Sequence, residues 1–231
     1  MLEYGEMKCD LHIHTSYSHD SNSSPKEVVK VAVAKEIDCL AITDHGEIKG
    51  AAEAQQFAAN LPLLIIPGIE IKSKEGDILG LNIQKIISNG LSAKETIKKI
   101  KEAGGMVIVP HPFGWFCGFK GDLKEILREA DGVEVLNASI FGPGNKKALA
   151  FAQKFNLPFT AGSDAHNLNL VGRAYLEIPG QNISIEEIFN KIKNRDVKIG
   201  GGEGSFIEKL LDHLKRGLSK VQHAGRKKRK I

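Results

Sequence analysis

The feature of this sequence that most limits its fold is an alternation of two kinds of segment. Apolar, β-branched runs of strand length alternate with amphipathic stretches of helix length. This pattern is typical of parallel strands joined by helical crossovers, so we expect an α/β fold. The predicted strands are residues 8–14, 39–43, 63–71, 106–110, 132–136, 159–162 and 174–178.

Helix starts carry a repeated signal, in which Ser or Asp precedes Glu by three residues. Such a pair can satisfy unpaired backbone amides reciprocally at the first turn of a helix. The pairs are Ser24 with Glu27, Ser92 with Glu95, Asp122 with Glu125, Ser184 with Glu187, and Ser205 with Glu208.

Length and composition indicate one domain with a large core, which we place at residues 1–222. The chain has 231 residues, of which 42% are hydrophobic. It contains no apolar run long enough to span a membrane. The three cysteines lack the spacing of a zinc site or a disulfide framework, so we expect buried thiols in a reducing cytoplasm.

The net charge of +4 comes largely from a basic run near the end of the chain. We expect residues 223–231 to form a disordered basic tail. Clustered Lys and Arg can bind nucleic acid by releasing counterions from phosphates. Because no basic stripe with interleaved aromatics accompanies the run, we favour a solvated end.

Most of the histidines fall at or just beyond the carboxyl ends of predicted strands. His12 and His14 lie two residues apart on one strand, so both rings can reach one metal ion. Carboxyl ends of parallel strands converge on one face of a barrel. The further candidate ligands at these ends are His45, Glu70, His111, Asp164 and His166. They exceed what one tetrahedral zinc needs, which predicts a cluster of two or three Zn, Mn or Fe ions.

The ions of such a cluster would supply a bridging hydroxide as nucleophile and neutralise an anionic substrate. Arg173, just ahead of the last predicted strand, is a candidate residue for binding that anion, with Lys146 and His19 as further candidates. Asp10 shares the face of the first histidines and could orient a ligand. Asp44 either does the same or caps a turn.

Aromatic residues follow the fourth predicted strand in a glycine-containing loop. They are Phe113, Trp115, Phe116 and Phe119. They either form a small hydrophobic cluster over the barrel mouth or line a substrate pocket, where they could stack on a base.

Five ordered motifs resemble the PHP (polymerase and histidinol phosphatase) family: DLHIHT, the triplet Thr43-Asp44-His45, PGIE, PHP and GSDAH. The resemblance spans residues 8–178 and implies a distorted seven-stranded, TIM-barrel-like (β/α) barrel with three metal ions that hydrolyses phosphate esters. It implies three metal sites, formed by His12, His14, Glu70 and Asp164, by Glu70 and His111, and by His45 and His166. Asp20 matches the family's loop ligand, with His19 as the fallback.

One position departs from the family pattern. Many members have a histidine after the GIE motif, where this chain has Asp77. Lys74, Glu75 and Gly76 indicate a turn between two short strands, which would place Asp77 beside the site. Asp77 either ligates the second metal and favours harder ions, or leaves that metal weakly held.

The leading hypothesis is therefore a phosphoesterase acting on a small phosphorylated metabolite or a nucleotide. A metal-activated hydroxide can also attack carbon, so an amide or lactone hydrolase is a second hypothesis. A third is a non-catalytic, RNA-associated scaffold subunit on the same barrel. The many polar groups converging on one spot argue against the scaffold, because burying them costs free energy.

Overall fold

The computed structural model describes the backbone of residues 5–228 and the side chains of residues 5–221. The strands are β1 (Glu6–Ile13), β2 (Cys39–Ile42), β3 (Leu64–Lys72), β4 (Asp77–Leu81), β5 (Met106–Val109), β6 (Gly132–Asn137), β7 (Phe159–Gly162), β8 (Ala174–Pro179) and β9 (Lys198–Gly201). The helices are α1 (Pro25–Ala34), α2 (Lys49–Ala58), α3 (Ala93–Glu102), α4 (Leu123–Ile126), α5 (Gly144–Phe155), α6 (Ile185–Lys193) and α7 (Phe206–Lys228).

The strands form one sheet that curls into a nearly closed barrel. Their order across the sheet is β7-β6-β5-β4-β3-β2-β1-β8-β9. Beyond β7, the backbone N–H of Asp164 donates to the carbonyl oxygen of His12 at 2.7 Å. The N–H of His14 donates in turn to the carbonyl oxygen of Ala165 at 3.0 Å. These bonds bring the chain after β7 alongside β1 and confirm the predicted α/β barrel.

The sheet departs from the prediction in strand number and direction. All the predicted strands form, but residues 5–228 contain nine strands rather than seven. The excursion after β3 is the expected hairpin, and β4 is antiparallel to both of its neighbours. β8 is antiparallel to β1, and β9 is antiparallel to β8. β9 escaped prediction because it lies at the sheet edge, where it is mostly exposed and needs no apolar run.

Both faces of the central strands are buried, as their apolar sequences predict. Cys9, Leu11 and Ile66 belong to one buried hydrophobic cluster. Leu40 and Ile42 instead pack in a second cluster that includes residues of α1 and α2. Cys9 and Cys39 are buried free thiols, and Cys117 is a half-buried one.

The predicted caps form at all five helix starts. Ser24, Ser92 and Ser184 make reciprocal capping boxes with the glutamates three residues later. Ser205 and Glu208 do the same at the start of α7, while Asp122 accepts from the Glu125 N–H.

α7 continues to Lys228, past residue 222, where we placed the end of the domain; that boundary stays a prediction. Ala, Lys and Arg are strong helix formers, so the scarcity of apolar residues after residue 222 does not end the helix. Residues 229–231 of the predicted tail lie outside the described residues. Across the described part of the chain, no helix has the length and apolar character needed to cross a bilayer.

Candidate metal centre

The predicted metal ligands converge at the barrel mouth. An irregularity in the pairing of β1 with β2 between Asp10 and Ile13 falls where the first histidine lies. Such irregularities re-aim side chains next to active sites. The pocket at the mouth is lined by Asp20, His45, Glu70, Asp77, His111, Asp164 and His166, with His12 and His14 buried close by.

The first group of ligands centres on the two histidines of the β1 end. The Nε2 atoms of His12 and His14 lie 3.2 Å apart. They are 3.5 and 3.2 Å from Oε2 of Glu70. The same two nitrogens are 3.6 and 3.3 Å from Oδ1 of Asp164. Two imidazoles and two carboxylates thus surround one point.

A second group uses the other oxygen of Glu70. Oε1 of Glu70 lies 3.2 Å from Nε2 of His111. Asp77 joins them, and one ligand atom from each residue lies within 4.8 Å of the others. The β3–β4 hairpin pairs Lys72 with Asp77, which brings Asp77 back toward the mouth as the predicted turn implied.

The third group contains Asp20, His45 and His166. Nε2 of His166 lies 3.3 Å from Oδ1 of Asp20, and Nε2 of His45 lies 3.5 Å from Oδ2. His166 donates its Nδ1–H to the carbonyl oxygen of Asp164 at 3.0 Å, so its Nε2 carries a lone pair. Burial lowers the pKa of His166 to about 3, helped by the charge of Arg216, which keeps the ring neutral.

A lone pair of His166 therefore faces a carboxylate oxygen of Asp20. Both atoms are buried, and neither has a hydrogen-bond partner among the described residues. Two acceptors in contact repel each other unless a cation lies between them, and a buried polar atom without a partner is costly. This donor set fits a divalent metal ion.

The outer nitrogens of the first two histidines are held by neighbouring side chains. Nδ1 of His12 lies 3.0 Å from Oε1 of Glu134. Nδ1 of His14 lies 3.0 Å from the Ser18 hydroxyl, which donates to Asp44 at 2.8 Å. With Nδ1 protonated, each ring presents its Nε2 lone pair to the centre. Sequence reasoning missed Glu134 and Ser18.

Asp10 contacts the backbone around the candidate ligands, which is compatible with the orienting role predicted for it. Its carboxylate accepts from the N–H groups of Ser163 at 2.8 Å and Gly172 at 2.9 Å. It thereby fixes the loop that carries Asp164. Burial raises the pKa of Asp10 to about 6, against the effect of these hydrogen bonds.

Asp44 makes long-range hydrogen bonds rather than a local turn cap. It accepts from the backbone N–H of Thr15 at 2.6 Å and from the Thr15 hydroxyl at 2.7 Å, which holds the loop after β1 against the chain after β2. Through Ser18 it also fixes the ring of His14.

The carboxylates make the centre attractive to cations. Burial alone would lower the pKa of His12, but the negative charges of Glu134, Asp164 and Glu70 raise it well above its ordinary value. At His45, burial likewise lowers the pKa, but the charges of Glu70 and Asp20 outweigh it and raise the pKa to about 10. The surroundings thus favour positive charge on ligand groups, which divalent ions can replace.

Two of the predicted ligands have left-handed backbone conformations. The φ angles of His111 and Asp164 are 30° and 49°. Such conformations cost about 1–3 kcal/mol each in residues other than glycine. The His111 N–H donates to Oε2 of Glu134 at 2.8 Å, and the Asp164 N–H donates to His12. These hydrogen bonds help hold both strained ligands in place.

The predicted phosphate-binding residues lie mostly outside the pocket. Arg173 is half-exposed and pairs with Glu208 of α7 at 3.4 Å. The Glu208 carboxylate therefore balances the charge of Arg173 outside the pocket. Lys146 is exposed on α5, away from the pocket lining. His19 does line the pocket at its rim, with Nε2 3.8 Å from Oδ2 of Asp20.

Two cations of α7 take the place expected for Arg173. Arg216 donates to the carbonyl oxygen of Asp164 at 3.0 Å and to Asp212 at 2.7 Å. Nζ of Lys220 lies 3.6 Å from Oδ2 of Asp20. Both side chains line the pocket. Nothing in the local sequence of α7 distinguishes them from ordinary helix-surface cations.

The four aromatic residues of the loop after β5 lie in two different environments. Phe113 and Phe119 pack against the core. Trp115 and Phe116 are 67% and 83% exposed and line a cleft next to the metal-binding pocket. Arg216 and Lys220 border both cavities, so the cleft opens beside the metal ligands.

Comparison with known proteins finds two matching families and several similar proteins. Residues 10–143 match the family described as PHP domain, and residues 142–197 match the family described as PHP-associated. Uncharacterized protein MJ1587 of Methanocaldococcus jannaschii is 44% identical over 142 residues, which cover 57% of this chain and 82% of that protein.

A 5'-3' exoribonuclease of Haemophilus influenzae is 35% identical over 99 residues, covering 41% of this chain and 36% of the exoribonuclease. Among solved structures, a two-domain protein from Bacteroides vulgatus, described as containing a predicted PHP-like metal-dependent phosphoesterase, has a TM-score of 0.74 at 19% identity. That match covers 87% of this chain and 66% of the other, and it shows a shared fold.

Proposed function

Because the chain belongs to the PHP domain family, we propose that it is a metal-dependent phosphoesterase that hydrolyses a small phosphate ester. The observation that carries the proposal is the contact between two buried acceptors, Oδ1 of Asp20 and Nε2 of His166, beside two further ligand groups that share Glu70. Sharing of one carboxylate is the arrangement expected of a multinuclear centre.

The donor set suits two or three ions of zinc, manganese or iron. One ion would be held by His12, His14, Glu70 and Asp164, a second by Glu70, Asp77 and His111, and a third by Asp20, His45 and His166. When bound, such ions lower the pKa of water and neutralise phosphate charge.

The chain's own cations would bind the substrate phosphate. Arg216 presents a planar guanidinium beside Asp164, a geometry suited to phosphate oxygens. Lys220 is about half exposed, so it can attract an anion from solvent and follow it into the pocket. His19, at the rim, is placed to contact the ester group beyond the phosphate.

The adjoining cleft favours a nucleotide over a metabolite without a ring. Its wall includes Trp115, Phe116 and Phe141, which offer faces on which a base can stack. The Haemophilus influenzae relative bears the name of an exoribonuclease. A mononucleotide or the end of a short oligonucleotide would place its phosphate at the metal ligands and its base in the cleft.

The test combines metal analysis with a substrate panel. Protein purified without chelator should contain two or three equivalents of metal and hydrolyse phosphate esters with added manganese or zinc. The panel should include phosphomonoesters, phosphodiesters, nucleotides, an amide and a lactone. Glu70→Gln should lose metal and most of the activity, whereas Glu186→Gln, on the exposed first turn of α6, should not.

Two other outcomes would assign a different function to this protein. Turnover of only the amide or the lactone would show attack on carbon and reject the phosphoesterase. Protein that lacks metal, has no hydrolytic activity and binds RNA tightly would indicate the scaffold.

A further inference from the structure

Helix α7 has its polar face toward the barrel and its apolar face toward solvent. Lys209, Asp212 and Ser219 are buried against the body of the protein. Its apolar residues are 43–72% exposed, and they are Phe206, Ile207, Leu210, Leu211, Leu214, Leu218 and Val221. A surface helix of a globular domain normally has the opposite orientation.

Polar contacts attach α7 to the barrel. Arg216 pairs with Asp164, Lys209 pairs with Glu203 at 2.7 Å, and Asp212 accepts from Asn167. All of these contacts use the inward face. The apolar face therefore remains available to a partner while α7 stays seated over the metal centre.

The apolar residues of the outer face follow a heptad repeat. Their spacing alternates between four and three residues through Ile207, Leu211, Leu214, Leu218 and Val221. Such spacing forms the narrow seam of a coiled coil, in which a and d positions pack into the facing helix. A helix that only lies on its own domain usually has a wider apolar stripe.

We propose that this face binds α7 of a second copy of the chain in an antiparallel, two-fold symmetric pair. Glu208 and Lys215 are seven residues apart and occupy the same position beside the seam; Glu208 also accepts from Arg173 of its own subunit at 3.4 Å. With Leu211 against Leu214 of the partner subunit, an antiparallel pair brings Glu208 beside Lys215 of the partner subunit. Two-fold symmetry repeats this ion pair at the other end of the seam.

A parallel pair lacks this complementarity. There, the residue facing Lys215 of the partner subunit across the seam would be Leu210, which carries no charge. The charge pattern therefore selects the antiparallel arrangement.

The extent of the face fits a self-associating surface. Monomeric proteins rarely expose a contiguous apolar patch above about 300–600 Å². Stable dimers bury about 800 Å² on each subunit. The outer face runs over four turns of α7, from Phe206 to Val221, and its large side chains are about half to three-quarters exposed. A second α7 would cover it along its whole length.

The first test is sedimentation velocity of the full chain. The unmodified protein should be a dimer at micromolar concentration, and Leu211→Glu with Leu214→Glu should be a monomer. Ile86→Glu, at an exposed apolar residue outside α7, is the control and should remain dimeric. Circular dichroism should show equal helix content in all three proteins.

A charge exchange tests the direction of the pair. Lys215→Glu should raise the dimer dissociation constant about tenfold, because two weak attractions become repulsions. Adding Glu208→Lys should restore much of the lost affinity, whereas Glu208→Lys alone, which also removes the Ser205 cap and the Arg173 contact, should weaken the dimer as Lys215→Glu does. A monomeric unmodified protein, or no recovery in the double variant, would overturn the proposal. Co-sedimentation of a monomer with phosphatidylserine vesicles would assign the face to a lipid surface instead.

Discussion

Nδ1 of His12 lies 3.0 Å from Oε1 of Glu134, whose other oxygen accepts from the His111 N–H and the Asn137 amide. One carboxylate thus fixes the ring of one ligand and the backbone of another. A Gln amide has one acceptor oxygen and an NH2 donor, so Gln cannot accept from His12 at one end and from His111 and Asn137 at the other. We expect Glu134→Gln to weaken metal affinity about 10- to 100-fold, as measured by chelator competition.

Glu177→Gln is the matched control, since Glu177 lies on β8 and is only half-buried. It should leave metal affinity unchanged. Equal affinity in both variants would mean that Glu134 does not orient His12.

Asp77 should determine occupancy of the second metal position. Its pKa is raised by burial and by the charge of Glu70, as expected of a carboxylate inside an acidic group. Asn is a poor metal ligand, so Asp77→Asn should lower the bound metal by about one equivalent in elemental analysis. The exposed Asp196→Asn provides the comparison. An unchanged metal content would show that Glu70 and His111 hold this ion without Asp77.

Arg216 and Arg173 give a matched pair for phosphate binding. Arg216→Lys keeps the charge but loses the bidentate fork, at a cost of about 1.5 kcal/mol. We expect KM for a phosphate ester to rise about tenfold. Arg173→Lys should leave KM unchanged, because Arg173 pairs with Glu208 away from the pocket. The reverse result would restore the role first predicted for Arg173.

Metal binding should change how stability depends on pH. His12 and His45 have folded-state pKa values above the ordinary 6.5. Their contribution is fully present below about pH 6.5 and is lost as the pH rises toward the folded-state values, about 10 for His45. Metal-stripped protein should therefore lose stability through this range.

Divalent ions need deprotonated imidazoles, so loading becomes more favourable as the pH rises. The difference in Tm between metal-loaded and chelator-treated protein should widen between about pH 6 and 9. Differential scanning fluorimetry in matched buffers measures it. A constant difference would indicate that protons and metal do not compete at these histidines.

The sequence revealed those parts of the fold and the site that depend on local pattern. Buried strands need continuous apolar runs, and candidate ligands such as His12, His45 and His111 lie at or just beyond the carboxyl ends of those strands. Strand direction was harder to predict, because the antiparallel pairing of β8 with β1 joins residues that are far apart in the sequence. β9 is mostly exposed, so its sequence lacks the apolar run that predicts a buried strand.

The supporting residues were missed for different reasons. Glu134 sits between valines in a buried strand, and a carboxylate in such a run is itself a sign of a paired, buried charge. Ser18 lies in a loop rich in serine, so only the structure distinguishes it. Arg216 resembles any cation of an amphipathic helix until the inverted orientation of α7 is known.

The strained ligands His111 and Asp164 have a consequence for how the enzyme would mature in a cell. Their conformations are held by Glu134 and by the backbone of β1, bonds that form when the barrel folds. We therefore expect the backbone at these two positions to be set by contacts that need no ion. Their geometry would then leave the choice among divalent ions to the metals available in the cell.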